Sequence, residues 1–304
     1  MQQSNFIADL KRQFQTGGMH IRLLFVNALV FLFIGILSVI GRLISPELSI
    51  SIQDLLSQIF TLKASFLGFL SAPWGIFTSI FAHFTFFHFL FNMIFLFFVG
   101  KMFEHFFGAR KLLLIYVFGG LAGGILEIVA HELFPAIAVN SSVIVGASGS
   151  IMAIFIAVAV YKPQLEVKLF GVLPVKIIIL AGLYFVYDLI SIGSNDGTAH
   201  FAHLGGAIFG YFAVQKVNTS KNLLVRLERG LQTISHKLRG VFRKKQTKLK
   251  VEYGGRGKSD DQFNSDKIAK QKKIDAILDK ISKSGYESLN SKEKALLFDE
   301  SKNG

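Results

Sequence analysis

The 304-residue sequence predicts an all-α polytopic membrane protein: a bundle of six transmembrane helices with a partly embedded first loop and a soluble helical extension at the C-terminus. Three observations lead there. Hydrophobic residues make up 51% of the chain, with 32 phenylalanines and a mean hydropathy of +0.48, more apolar surface than a soluble domain can hide. Apolar runs recur at residues 23–40, 84–99, 112–130, 143–160, 177–192 and 199–214, each near the ~20 residues that a spanning helix needs. Lysine and arginine alternate in abundance between successive connections, the pattern that orients membrane proteins.

Residues 1–19 are polar, carry Lys11 and Arg12, and lack the apolar core and small-residue cleavage site of a signal peptide. They read as a cytoplasmic lead-in to a membrane domain expected over residues 20–217. The first span lies between Arg22 and Arg42. Residues 45–73 are interrupted by Pro46, Glu47, Asp54 and Lys63, yet place Leu55, Leu56, Ile59 and Phe60 at helical spacing. Such a segment is too broken to span and too apolar for an ordinary loop, so it is expected to lie partly embedded in the outer interface. With six spans both termini share a side. Lys101, Arg110, Lys111, Lys162, Lys168 and Lys176 occupy the connections on that side, against only Arg42 and Lys63 opposite, so both termini are expected in the cytoplasm.

Small residues mark close helix approaches: Gly119 with Gly123 and Gly120 with Gly124 in the third span, Gly206 with Gly210 in the sixth. Residues 218–253 alternate apolar positions such as Leu224, Leu227, Leu231 and Ile234 with Lys and Arg, a basic amphipathic segment suited to the inner membrane surface. Residues 254–266 read as a linker and 267–304 as a small helical hairpin, with Asn290 and Glu293 capping its second helix. The hairpin's separateness suggests an unknown cytoplasmic partner. The net charge of +13 gathers after Tyr211 and points to anionic lipid headgroups rather than nucleic acid, for which no motif is present. Cysteine is absent, which excludes disulfides, thiolate metal sites and a cysteine nucleophile.

The chemistry centres on residues 145–150, Val-Gly-Ala-Ser-Gly-Ser. Ser148 lies between small residues at the expected N-terminal turn of a buried helix, where free backbone N–H groups can hold a developing negative charge. This is not the strand–turn–helix elbow Gly-x-Ser-x-Gly, because residue 150 is Ser and no strand is expected before it. The competing reading is a helix-packing face. A serine nucleophile needs a base, and the sixth span supplies His203, followed by the close-packing Gly206 and Gly210. The same span offers His200 as a second imidazole, or instead as a loop residue at the interface, and His203 is preferred for the glycines that follow it. In the second span His88 and Asn92 are four apart, on one helix face, and together offer the donors that an oxyanion requires; otherwise they are a polar pair joining helices. His83, His88, His200 and His203 could converge on a metal, but no carboxylate accompanies them at ligand spacing, and His131-Glu132 lacks the second histidine of a zinc-protease motif. No metal and no cofactor are expected. Asp188 or Asp196 could orient His203.

The set Pro73-Trp74, His83-x4-His88-x3-Asn92, Glu104 followed by Gly108-x-Arg110, Gly146-Ala147-Ser148-Gly149 and Ala202-His203-Leu204-Gly205-Gly206-x3-Gly210 resembles the rhomboid family of intramembrane serine proteases, over roughly residues 19–215. The resemblance implies Ser148 as nucleophile and His203 as general base in a dyad without an essential acid. It implies His88, Asn92 and the Ser148 N–H as the oxyanion site, with His83, Met152, Gly206 and Gly210 in support. It also implies transmembrane protein substrates, contact with membrane lipids, and a bacterial inner-membrane location. Two positions depart from the family pattern. Gly75 stands where Arg often follows the Trp, and Met152 stands where an aromatic ring often packs on the catalytic histidine. The non-catalytic alternative is a membrane adaptor of the same fold that binds transmembrane helices without cutting them.

Overall fold

The computed structural model describes residues 6–134, 143–169, 171–194, 196–217, 219–242 and 260–303. Contacts divide the chain into two units, Met1–Phe242 and Arg243–Gly304. The first part of the expected linker, 254–259, and the basic stretch 243–253 lie outside the described residues, as does most of the loop before the serine turn, 135–142.

The first unit begins with α1 (Phe6–Thr16) and α2 (Met19–Ile44). The first backbone N–H groups of α2 have no partner within the helix. Glu104 supplies one from a distant helix: its carboxylate accepts from the N–H of Met19 (2.7 Å) and of His20 (3.0 Å) and meets His20 Nδ1 at 2.5 Å. The segment expected to be half-embedded folds as α3 (Pro46–Phe60), the two-residue strand β1 (Leu62–Lys63), α4 (Phe66–Ser71) and α5 (Gly75–Thr78). Ser45 caps α3 by accepting from Leu48 N–H, with Pro46 in the first turn, where its missing N–H costs nothing. The chain then folds back on α3. The Trp74 indole N–H donates to the Gln58 carbonyl (2.9 Å) and the Thr78 hydroxyl to that of Ile59 (2.5 Å). Gly75 is fixed by this fold, because a Cβ there would collide with the Thr61 carbonyl.

Next come α6 (Phe86–Phe107), α7 (Ala109–Leu133), β2 (Val143–Ile144) and α8 (Ser148–Tyr161). They are followed by the β3–β4 hairpin (Glu166–Leu169, Leu173–Lys176), α9 (Ile177–Ile190), α10 (His200–Ala213) and α11 (Leu223–Phe242). Gly108, at φ +84°, makes the sharp joint between α6 and α7. α8 is the axis of the unit: Ile151, Met152, Ala153, Ile154, Ala157 and Val158 are all buried, and α6, α7, α9 and α10 pack around it. Outward-facing Leu29, Leu32, Phe33 and Ile36 on α2, and Leu183, Val186 and Ile190 on α9, are exposed, as lipid-facing side chains must be.

The chain is an integral membrane protein, but only three of its described helices, α2, α6 and α7, are long and apolar enough to cross a membrane. Their 26, 22 and 25 residues correspond to roughly 39, 33 and 38 Å. The other three expected spans appear as helices of 14 residues each, roughly 21 Å, short of the ~30 Å hydrocarbon core. For α8 the cause is a strand pairing. Residues 143–144 leave the helix to pair antiparallel with β1, Leu62 opposite Ile144 and Lys63 opposite Val143, and Gly146 at φ +120° turns the chain into the helix at Ser148. A strand therefore does precede the serine turn, contrary to the sequence expectation.

In the second unit α12 (Asp260–Ser284) and α13 (Ser291–Asn303) form two helices joined through Gly285 at φ +73° and a 3₁₀ turn, Tyr286–Ser288. α12 starts inside the stretch read as linker, where Asp260 and Asp261 favour a helix N-terminus. The cap of α13 is reciprocal: Glu293 N–H donates to Asn290 Oδ1 (2.9 Å), and Asn290 N–H donates to Glu293 Oε2 (2.8 Å). The Asn290 backbone bond and Lys280 together hold the Glu293 carboxyl below its ordinary 4.5.

Candidate active site

Ser148 is the first residue of α8 and partly exposed, flanked by buried Ala147 and Gly149. Three hydrogen bonds shape the turn that delivers it. Gly146 N–H donates to the Ser79 carbonyl (3.0 Å), Ala147 N–H reaches His83 Nε2 (3.4 Å), and Ile151 N–H closes the first helical bond on the Ala147 carbonyl (2.9 Å). The N–H groups of Ser148 and Gly149 thus fall in the first turn, ahead of that helical bond, and are free to face an anion. Gly146 is required twice over, by its φ and because a Cβ there would lie 2.6 Å from the His88 ring.

His203 lies on α10 and is buried at 4% exposure. Its helix is held by Glu127 of α7, whose buried carboxylate accepts from Ala202 N–H (2.8 Å) in the first turn of α10. α10 also lies almost against α8: a Cβ on Gly206 would collide with the Gly149 carbonyl, and one on Gly210 with that of Ala153. Gly119 and Gly123 play the same part for α7, against Ala153 and Ala202. A cavity of about 810 Å³ opens beside the turn, lined among others by Ser148, His203, His88, Asn92, Met152 and Tyr184. The structure therefore brings together Ser148, His203, His88, Asn92 and Met152 on one cavity. His83 lies behind it, fully buried, under the serine turn and edge-on to His88 with ring centroids 5.0 Å apart. Asn92 spends one amide hydrogen on the His88 carbonyl (2.8 Å) and keeps the other.

Several expectations need correction. His200 is not an interfacial loop residue: it opens α10 and is buried at 4% exposure. A carboxylate does accompany the histidines. Asp188 of α9, fully buried, places Oδ1 2.9 Å from His203 Nδ1 and 2.8 Å from His200 Nδ1, and the ligand atoms of the three lie within 4.8 Å of one another, a spacing that a metal ion would also accept. Asp196, on the loop before α10, reaches His200 Nε2 at 3.2 Å and caps its own loop by accepting from Thr198 N–H (2.8 Å). Partial desolvation pulls the Asp196 carboxyl upward, but hydrogen bonds from Thr198 and Ser194 and the nearby His200 outweigh it and hold the carboxyl below its ordinary 3.8. The aromatic neighbour of His203 is Tyr184 of α9, with ring centroids 6.0 Å apart, so the ring that residue 152 does not supply comes from another helix. Sequence reasoning missed Glu127 and Tyr184. Glu127 had left a signal as the lone acid within the apolar run 112–130.

A sequence model of the rhomboid domain matches residues 71–217, which include the whole of this cavity's serine turn and histidine helix. The chain carries a rhomboid domain. A second family model, of unknown function, matches residues 258–303, the α12–α13 unit. Among curated proteins, Rhomboid protease AarA of Providencia stuartii is 31% identical over 137 residues, covering 40% of this chain and 48% of that protein. RHOMBOID-like protein 12, mitochondrial, of Arabidopsis thaliana is 27% identical over 155 residues, covering 47% and 46%. Rhomboid protease GluP of Bacillus subtilis is 29% identical over 151 residues, covering 49% and 27%. The chain spans less than half the length of these relatives. The rhomboid domain thus ends where α10 leaves the bundle, and the α11–α13 region lies beyond it.

Proposed function

We propose that this protein is an intramembrane serine endopeptidase that hydrolyses peptide bonds in or near transmembrane helices of other membrane proteins. The observation that carries the reading is the shared cavity: Ser148 at the open first turn of α8, with His203, His88 and Asn92 on the same walls. Relatives named as rhomboid proteases support it.

The chemistry follows from the placement. A bound peptide carbonyl beside Ser148 is attacked by Oγ while His203 takes the hydroxyl proton. The carbonyl oxygen gains its negative charge facing the Ser148 N–H, His88 and the free Asn92 amide hydrogen, donors already in place before the reaction. His203 returns its proton to the leaving amine as the C–N bond breaks, and water then releases the acyl group by the same steps in reverse order. A helical substrate shields its peptide carbonyls, so the bound segment must be extended, which favours substrates with helix-weakening residues at the cut. The six apolar helices cross the membrane, the shorter three by the thinning of lipid around them, with both termini on the cytoplasmic side where Lys101, Arg110, Lys111 and Lys162 gather.

The test is labelling of the purified protein in detergent with a fluorophosphonate serine probe. The expected result is labelling of the parent and none in Ser148→Ala or His203→Ala; a folded parent that takes up no probe, or equal labelling in the three, refutes the reading.

A further inference from the structure

We propose that Asp188 is a positioning residue for His203, making the reactive set Ser148–His203–Asp188, and that His200 binds the same carboxylate oxygen and holds it in place. The inference rests on Ser148 and His203 being nucleophile and base, and adds a member that neither the rhomboid-like motifs nor the relatives' names assign.

Asp188 is the one acidic residue in the apolar run 177–192, and its side chain is fully buried. A buried acid in such a helix is costly unless it is paired. It is paired twice through a single atom: Oδ1 receives His203 Nδ1 at 2.9 Å and His200 Nδ1 at 2.8 Å. An ionised carboxylate only accepts, so both Nδ1 atoms must be donors. For His203 this fixes the tautomer. The proton sits on Nδ1, and Nε2 is left with the lone pair that must take the Ser148 proton. For His200 the other nitrogen faces the loop before α10, with Asp196 Oδ2 at 3.2 Å and Ser194 Oγ at 3.4 Å, so its ring ties Asp188 to that loop.

The proton count is closed. The Ser148 Oγ–H bond breaks, the proton goes to His203 Nε2, the Oγ–C bond forms, and the carbonyl electron pair moves to oxygen. Asp188 takes no proton; it stabilises the imidazolium and holds the ring's orientation. The other groups near His203 are Tyr184 and Tyr187 on α9, His200 on α10, Asp196 on the preceding loop, His88 on α6 and Glu127 on α7. Of the acids among these groups, only Asp188 lies at hydrogen-bond distance from the His203 ring.

A role as mere glue between α9 and α10 predicts a different set of results. In the full-length protein in detergent, the second-order rate of fluorophosphonate labelling is measured against pH for the parent, Ser148→Ala, Asp188→Asn and Asp188→Ala, with thermal melting as the check on folding. Asp188→Asn keeps shape and loses charge. It is expected to melt like the parent, to label at least ~10²-fold more slowly, toward the ~10⁴-fold loss that follows when a triad carboxylate becomes an amide, and to shift the acid limb of its profile to lower pH, because the imidazolium has lost its counter-charge. Asp188→Ala leaves a space the size of a formate ion, so sodium formate is expected to raise its labelling ~10-fold while leaving the parent and Ser148→Ala unchanged. Labelling of Asp188→Asn within about threefold of the parent on an unmoved acid limb overturns the proposal. So does a loss that accompanies collapsed melting in Asp188→Asn with no formate response in Asp188→Ala. A folded parent that fails to label is the separate failure of the Ser148–His203 reading itself.

Discussion

The sharpest consequence of the packing is at Gly206. A Cβ built there lies 2.9 Å from the carbonyl carbon of Gly149 and 3.3 Å from its Cα, and collides with the carbonyl oxygen. The obstacle is backbone and cannot rotate away, so Gly206→Ala requires α8 and α10 to separate by ~1.5 Å before contact becomes ordinary. Overpacking of this kind costs about 1–3 kcal/mol of stability. Its effect on chemistry is larger, because the two helices carry Ser148 and His203, and a ~1 Å displacement of reacting groups can lower a rate ~10²-fold. The matched control is Gly182→Ala on α9, where a Cβ meets nothing within 4 Å. The assay pairs thermal melting in detergent with fluorophosphonate labelling. Gly206→Ala should melt lower and label ~10²-fold more slowly, while Gly182→Ala should match or exceed the parent in stability, since alanine favours the helix by up to ~1 kcal/mol. Parental labelling by Gly206→Ala would refute the argument that this contact sets the distance between serine and histidine.

Three further outcomes follow from single hydrogen bonds. Glu127→Ala strips the Ala202 N–H of its buried acceptor and should destabilise the protein by about 1–3 kcal/mol and slow labelling, whereas Glu127→Gln, which keeps an acceptor, should retain most of both; melting and probe labelling of the two variants check this. Tyr116→Phe removes a fully buried hydroxyl that donates to the Ile80 carbonyl (2.7 Å) and accepts from the Asn27 amide (3.0 Å), which strips the carbonyl of that donor and leaves the amide only its bond to the Leu23 carbonyl (2.8 Å), so a loss of about 1–3 kcal/mol is expected in denaturant titration. The Glu293 carboxyl is held below its ordinary 4.5 in the folded state. Its contribution is therefore present above that value and lost as pH falls through the lowered one, so the protection factors of the α13 amides, taken relative to the intrinsic exchange rate at each pH, should fall on acidification while those of α8 hold.

The positions of the apolar helices were legible because hydropathy needs no partner: a run such as 112–130 announces α7 from its own composition. Their lengths were not. The shortening of α8 depends on residues 143–144 pairing with residues 62–63, a contact about eighty residues away that no local pattern encodes. The site divides along the same line. Ser148, His203, His88 and Asn92 stand out as polar or small residues at motif spacing, while Asp188 lies alone in an apolar run with its partners 12 and 15 residues onward across a loop. Residue 75 is the converse case. Read against a family pattern, Gly75 looks like a lost charge; in the fold it is a requirement, because the loop passes so close to the Thr61 carbonyl that no side chain fits.

The same strand pairing explains why the serine is reachable at all. Had residues 143–147 continued the helix upward, they would have added roughly 7.5 Å of packed apolar cylinder over Ser148, burying it as completely as Ser150, which is fully buried two residues on with its hydroxyl unpartnered. Instead β2 leans away onto β1, Gly146 reverses the chain, and the first turn of α8 faces a cavity of about 810 Å³. Apolar surface that would have stabilised the bundle is left unburied there, and hydrogen bonds donated by the turn's Gly146 and Ala147 N–H groups to the Ser79 carbonyl and His83 Nε2 hold the opening in shape. The difference between Ser148 and Ser150 is thus one of backbone conformation upstream, and a substitution that let the helix begin earlier, such as Gly146→Ala in a chain able to shift the His88 ring, should close the cavity and silence Ser148 without touching it.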